Sequence, residues 1–148
     1  MKDVKRILVA SRMTRHCRKA VHYGVSLSQK LNAELYVVHV IHNPFSYEGW
    51  NLPVYSLEKE YRQLREKEKK NLDAIVNSEK AEGMHVEELI REGEPAKVIR
   101  KIVDEKQIDL VITMAYEEGR LEHFLFGRDI EELVRKMPCS VFLVKRGD

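Results

Sequence analysis

Ile7-Leu8-Val9-Ala10 is an unbroken apolar run near the start of a chain of 148 residues. Four apolar residues without alternation suit a central parallel strand covered on both faces. Just downstream, Thr14 is placed to cap a helix with Ala20, Gly24, Leu27 and Leu31 at helical spacing. Asn32 suits its C-terminal end. Glu34 to Ile41 (ELYVVHVI) is a second, β-branched strand. Residues 43–55 read as a loop, punctuated by Pro44, Gly49 and Pro53 and anchored by Phe45, Tyr47, Trp50 and Tyr55.

The same alternation continues to the end of the chain. Ser56 to about Glu82 reads as a long charged helix with Tyr61, Leu64, Leu72, Ile75 and Val76 as its apolar stripe. Its run Glu66-Lys-Glu-Lys-Lys70 has mixed signs at i,i+4 spacing, the mark of a solvated helix face. Gly83 ends that helix, and His85 to Ile90 (HVEELI) is a third strand. Gly93-Glu94-Pro95 opens the next helix, with Val98, Ile99, Ile102 and Val103 facing inward. Asp109 to Thr113 is a fourth strand. A last helix carries Ile130, Leu133, Val134 and Met137 and stops at Pro138, and Ser140 to Val144 is the fifth strand. Strands separated by helices throughout specify one α/β domain over residues 1–148, with a parallel sheet and right-handed crossovers.

Composition narrows the function classes. With 43% apolar residues the chain can bury a core, and a net charge of +2 gives no sequence-wide field for nucleic acid or a membrane surface. The balance is local: residues 1–30 hold eight Lys/Arg and one acid, a segment able to seek anions. No apolar run reaches the roughly 18 residues of a membrane span, and Ile7–Ala10 is too short for a signal-peptide core. Cys17 and Cys139 lack a CxxC or Cys/His partner pattern, so a reducing cytoplasm is the simpler reading and one disulfide the alternative. The six histidines form no HExxH, and no metal site is expected.

Five short segments, in order, now resemble the universal stress protein family. Ile7-Leu8-Val9-Ala10-Ser11-Arg12-Met13-Thr14 is similar to its opening strand and Asp-Gly-Ser-like turn. Val38-His39-Val40 is similar to its Leu/Val-His-Val, and Gly93-Glu94-Pro95-Ala96 to its Gly-Asp-Pro-Ala turn. Asp109-Leu110-Val111-Ile112-Thr113-Met114 resembles its fourth strand, and Pro138-Cys139-Ser140-Val141 its Pro-Cys-Pro-Val lead into the fifth. The resemblance runs from Arg6 to Val144 and implies a flavodoxin-like, Rossmann-like sheet of order 3-2-1-4-5. It also implies a nucleotide cleft between strands 1 and 4, where physics independently puts a crevice facing helix N-termini.

ATP-binding members carry Gly-x2-Gly-x9-Gly-Ser/Thr after strand 4. Aligning Gly127 with the last glycine puts Met114 and Glu117 at the first two, and Arg128 in place of the hydroxyl. Gly119 serves as the second glycine if two residues are inserted, and Arg12 replaces the family's ligand-contacting Asp. Asp129 and Glu132 have capping-box spacing and take up amides that a phosphate would use. Glu117, Glu118 and Glu131 add negative charge nearby; Arg12, Arg15, Arg120 and Arg128 are the counterweight, either pairing with these acids or holding an anion bidentately. The cleft candidates are Ala10, Ser11, Arg12, Ile41, Met114, Gly119, Gly127 and Arg128.

Three functions are therefore weighed. The first is a regulatory, stress-response domain without tight ATP binding and with no cofactor. The second is a module that still holds ATP, AMP or another phosphorylated anion. The third, a weak ATP hydrolase, lacks an assignable carboxylate, so no catalytic residue is expected. Cys17 reads as a packed first-turn residue and His39 as a satisfied strand histidine; His16, His42 and His123 fall near the cleft without a catalytic pattern. The expected partners are a second copy of the chain and a regulatory protein. The resemblance implies a homodimer through antiparallel pairing of strand 5, with Val141, Phe142 and Leu143 central.

Overall fold

The computed structural model describes residues 3–11, 17–41, 54–115 and 134–145. Five strands, β1 (Arg6–Ser11), β2 (Glu34–Ile41), β3 (Val86–Glu92), β4 (Leu110–Ala115) and β5 (Ser140–Lys145), form one parallel sheet. Its order is β3-β2-β1-β4-β5, as expected. Helices α1 (Cys17–Leu31), α2 (Val54–Glu79) and α3 (Pro95–Lys106) lie between the strands in the chain, and residues 134–136 are helical ahead of β5.

Alternation along the strands builds two cores. Ile7 and Val9 of β1, Leu35 and Val37 of β2, and Ile112 and Met114 of β4 meet Ala20, Val21 and Val25 of α1 and Leu72 and Val76 of α2. The other face sets Leu8, Ala10, Tyr36, Val38 and Val111 against Ile99, Ile102 and Val103 of α3, with Met137. The central strand β1 is therefore apolar on both sides, which is why its sequence shows no alternation.

Local signals fix the turns. Asn32 adopts the left-handed conformation (φ 52°) after α1, and Pro95 occupies the first turn of α3 behind Glu94. Gly83 (φ 77°) makes the turn between α2 and β3, four residues beyond the helix end rather than at it. The Asp109 carboxylate accepts the Lys5 and Arg6 N–H groups at 2.9 and 3.0 Å, tying the starts of β1 and β4 together.

Three stripes need correction. In α1 the buried positions are Cys17, Ala20, Val21, Gly24, Val25 and Ser28, while Leu31 is exposed and Leu27 only partly covered. Small residues face the sheet because the helix approaches it closely. In α2, Leu64 is exposed and Glu68, expected on a solvated face, turns inward. Val134 is exposed while Met137 enters the core. Strand and helix bounds move by up to three residues, and Val54 and Tyr55, expected in a loop, begin α2.

Candidate functional site at the split between β1 and β4

β1 stays paired with β2 to its last residue, Ser11 opposite His39. β4 likewise stays paired with β5 as far as Ala115 opposite Lys145. Between β1 and β4, however, pairing stops at Val9 opposite Ile112. Ala10 and Ser11 on one side and Thr113 to Ala115 on the other thus part company at the C-terminal edge. The chain runs on from β1 to β2 and from β4 to β5, so this is the sheet's topological switch point, where open α/β sheets form a ligand crevice. α1 begins at Cys17, bringing a helix N-terminus to the same end.

Four of the eight cleft candidates line this edge. Ala10, Ser11, Ile41 and Met114 sit at the ends of β1, β2 and β4, with 2%, 5%, 5% and 1% of their surface exposed. Met114 lies within the core on the α1 side, and Ile41 is buried. The Ile41 carbonyl already accepts the Gly93 N–H at 3.1 Å. Thr113 Oγ1 is buried without a hydrogen-bond partner among the described residues. Arg12, Gly119, Gly127 and Arg128 lie outside the described residues, as do Arg15, Arg120, Glu117, Glu118, Asp129, Glu131, Glu132, His16, His42 and His123.

His39 is held beside the crevice. Its Nδ1 donates to the Ser11 carbonyl at 3.2 Å, and its Nε2 lies 3.5 Å from Glu68 Oε2. Burial lowers its pKa against the opposing pull of the Ser11 carbonyl and the Glu68 carboxylate. The satisfied strand histidine is what the structure shows. Further along the edge, Arg65 Nη1 donates to Glu92 Oε1 at 2.9 Å, and Glu92 also hydrogen-bonds Tyr61. Desolvation, then that bond, pushes Tyr61 up to about 12. Sequence reasoning missed Glu68, Arg65 and Glu92. The signal for the two helical residues is their spacing: Tyr61, Arg65, Glu68, Leu72 and Val76 follow one helical stripe.

Cys17 is fully buried, as the packing reading expects, and neither Cys17 nor Cys139 is in a disulfide. Among the described residues no group of three His, Cys, Asp or Glu side chains can hold a metal ion. No helix among them is long and apolar enough to cross a membrane.

Comparison with known proteins agrees with this architecture. The model of the Universal stress protein family matches residues 3–145. Universal stress protein MJ0531 of Methanocaldococcus jannaschii is 28% identical over 133 residues, covering 86% of this chain and 74% of that protein. The structure of universal stress protein UspA from Lactobacillus plantarum superposes with a TM-score of 0.71 at 20% identity, over 97% of this chain and 99% of that one. A universal stress protein from Archaeoglobus fulgidus, solved in complex with dAMP, superposes with a TM-score of 0.63 at 16% identity, over 97% and 100% of the two chains.

Proposed function

The chain belongs to the universal stress protein family, and from that premise we propose that it is a regulatory, stress-response domain that takes a nucleotide or other phosphorylated anion weakly and does not turn it over. The observation that carries this reading is the early end of pairing between β1 and β4 after Val9 and Ile112. It leaves a crevice at the sheet's switch point, with the α1 N-terminus directed to it. The dAMP bound by a relative of the same fold supports a nucleotide-class ligand. Weak affinity follows from the sequence: Met114 and Glu117 stand where phosphate-approaching glycines would be, and Arg12 replaces an acid. Met114 also belongs to the core, so its side chain fills space that a glycine would leave open.

Calorimetric titration tests this directly. ATP with Mg²⁺ should bind no more tightly than about 100 µM, roughly −5.5 kcal/mol, whereas AMP or ATP should still saturate a single site at millimolar levels. Low-micromolar ATP binding overturns the weak-binding reading. No saturable binding of either nucleotide overturns the ligand class.

A second reading, the homodimer, has its own support. Phe142 and Leu143 on edge strand β5 are 37% and 40% exposed, and the strand contains no proline. Tyr23 of α1 lies against Phe142 with ring centroids 5.5 Å apart, extending the apolar surface. Such an edge invites pairing, and we infer that a second copy supplies it through Val141, Phe142 and Leu143. The cysteine pattern, without a CxxC or Cys/His partner, leads us to propose a reducing compartment, the cytoplasm, as its place of action.

A further inference from the structure

His39 joins the lip of the crevice to helix α2. It sits in the residue pair that closes the β1–β2 ladder, opposite Ser11, with Ile90 of β3 on its other side. Its side chain is buried, and both ring nitrogens confront oxygen. Nδ1 lies 3.2 Å from the Ser11 carbonyl, and Nε2 lies 3.5 Å from Glu68 Oε2. A carbonyl and an ionised carboxylate only accept hydrogen bonds, whereas a neutral imidazole has one N–H to give. With that proton on Nδ1, Nε2 presents a lone pair to Glu68. Their 3.5 Å separation exceeds an ordinary N–H···O bond and suits two acceptors with no proton between them.

The charges around the ring belong to three elements. On β3, Glu88 and Glu92 flank Ile90 on the same face. Arg65 of α2 holds Glu92 at 2.9 Å, while Lys69 and Asp73 act on Glu88. Arg18 and His22 of α1 turn to Glu79 at 3.4 and 3.0 Å. β1 contributes the Ser11 carbonyl and no charge. Among the described residues, Glu68 is the charged group placed directly against His39.

We propose that His39 links anion binding in the crevice to proton uptake. A phosphorylated ligand beside the end of β1 favours the doubly protonated ring, whose new Nε2–H then bonds Glu68 and draws α2 onto the rim. This coupling rests on the ligand reading above. The ligand-free protein is set for the exchange. Burial holds His39 below its usual 6.5, against the raising pull of the Ser11 bond and of Glu68. Near neutrality the ring is therefore uncharged and has a proton to take from water. A ligand anion next to Ser11 stands one carbonyl away from the ring and offsets the cost of charging it. By linkage, a ligand that raises the pKa of His39 binds more tightly as pH falls. Nδ1 donates to Ser11 in both states, so the lip stays fixed while the hold on Glu68 changes. His39 is thus a positioning residue, acting on the ligand through the end of β1.

NMR of the whole chain, isotopically labelled, tests it. The His39 ring resonances, assigned through bonds, are titrated between pH 5 and 8 with and without saturating AMP. AMP should raise the His39 pKa by at least about 0.5, equivalent to roughly threefold tighter binding in acid. A phosphomonoester itself loses charge near pH 6, so calorimetry compares the unaltered protein with His39→Gln, which keeps a donor for Ser11 but does not titrate. From pH 7.5 to 5.0 the ratio of their AMP affinities should move about threefold in favour of the unaltered protein. Without ligand, Glu68→Gln should lower the His39 pKa, since it removes the facing carboxylate. Saturable AMP binding with an unmoved His39 pKa overturns the coupling and leaves the ligand reading standing. No saturable AMP binding overturns both. An unchanged His39 pKa in Glu68→Gln overturns the part assigned to α2.

Discussion

Gly24 of α1 lies directly against Val9 of β1. A Cβ at Gly24 would overlap the Val9 γ-methyl and come within 3.2 Å of Leu35 Cδ1. All three residues are buried, and valine has little rotamer freedom with which to yield. Gly24→Ala gains about 1 kcal/mol in helix propensity but incurs roughly 1–3 kcal/mol of overpacking. The expected outcome is a net loss of up to about 2 kcal/mol. A urea midpoint at or above that of the unaltered protein, with unchanged slope, would contradict it.

His39 should make the protein acid-sensitive. Because burial holds its pKa below the usual 6.5, the native state binds fewer protons there than the unfolded chain. Stability then falls as pH drops through 6.5 toward the folded value. Between pH 7.5 and 5.0 the unaltered protein should lose more unfolding free energy than His39→Gln, measured by urea titration at each pH. Equal losses would show that His39 does not contribute.

Arg12 and Arg128 are the anion contacts that the sequence reading proposes for the crevice. If a nucleotide binds, Arg12→Ala and Arg128→Ala should each weaken it several-fold, as expected for the loss of a charge-assisted contact. Calorimetry with AMP reads this out. Indifference to both substitutions would leave backbone amides as the whole site.

Phe142→Pro should convert a dimer to monomer, since proline removes an edge N–H and its ring disfavours pairing. Leu143→Lys, which places charge in the same contact without touching the backbone, gives the second test. Sedimentation at tens of micromolar distinguishes the states. A monomer mass for the unaltered chain would end the idea.

Sequence and structure part ways for identifiable reasons. Ile7–Ala10 announces a strand covered on both sides, and the Gly93-Glu94-Pro95 turn marks the start of α3. Those signals are local, and the chain's order of elements suffices to give the sheet. The buried stripe of α1 is less visible, because Ala20, Gly24 and Ser28 serve by being small, not by being apolar. Glu68 hides inside a charged run. Its partner His39 is remote in sequence, and i,i+4 reasoning sees only contacts within a helix. Four of the cleft candidates come together because strand ends are predictable. The buried Thr113 hydroxyl is not, since its environment depends on where β1 leaves β4.

The two rims of the sheet are chemically unlike. β3 carries Glu87, Glu88, Arg91 and Glu92 among its seven residues, whereas β5 offers Val141, Phe142 and Leu143. A sheet continued across β5 into a second copy has a β3 rim at each end. Charged rims resist further strand addition, so growth that starts at β5 is self-terminating. If two copies join through β5 as proposed, the charged β3 rims would end the joining after one round and disfavour fibre formation.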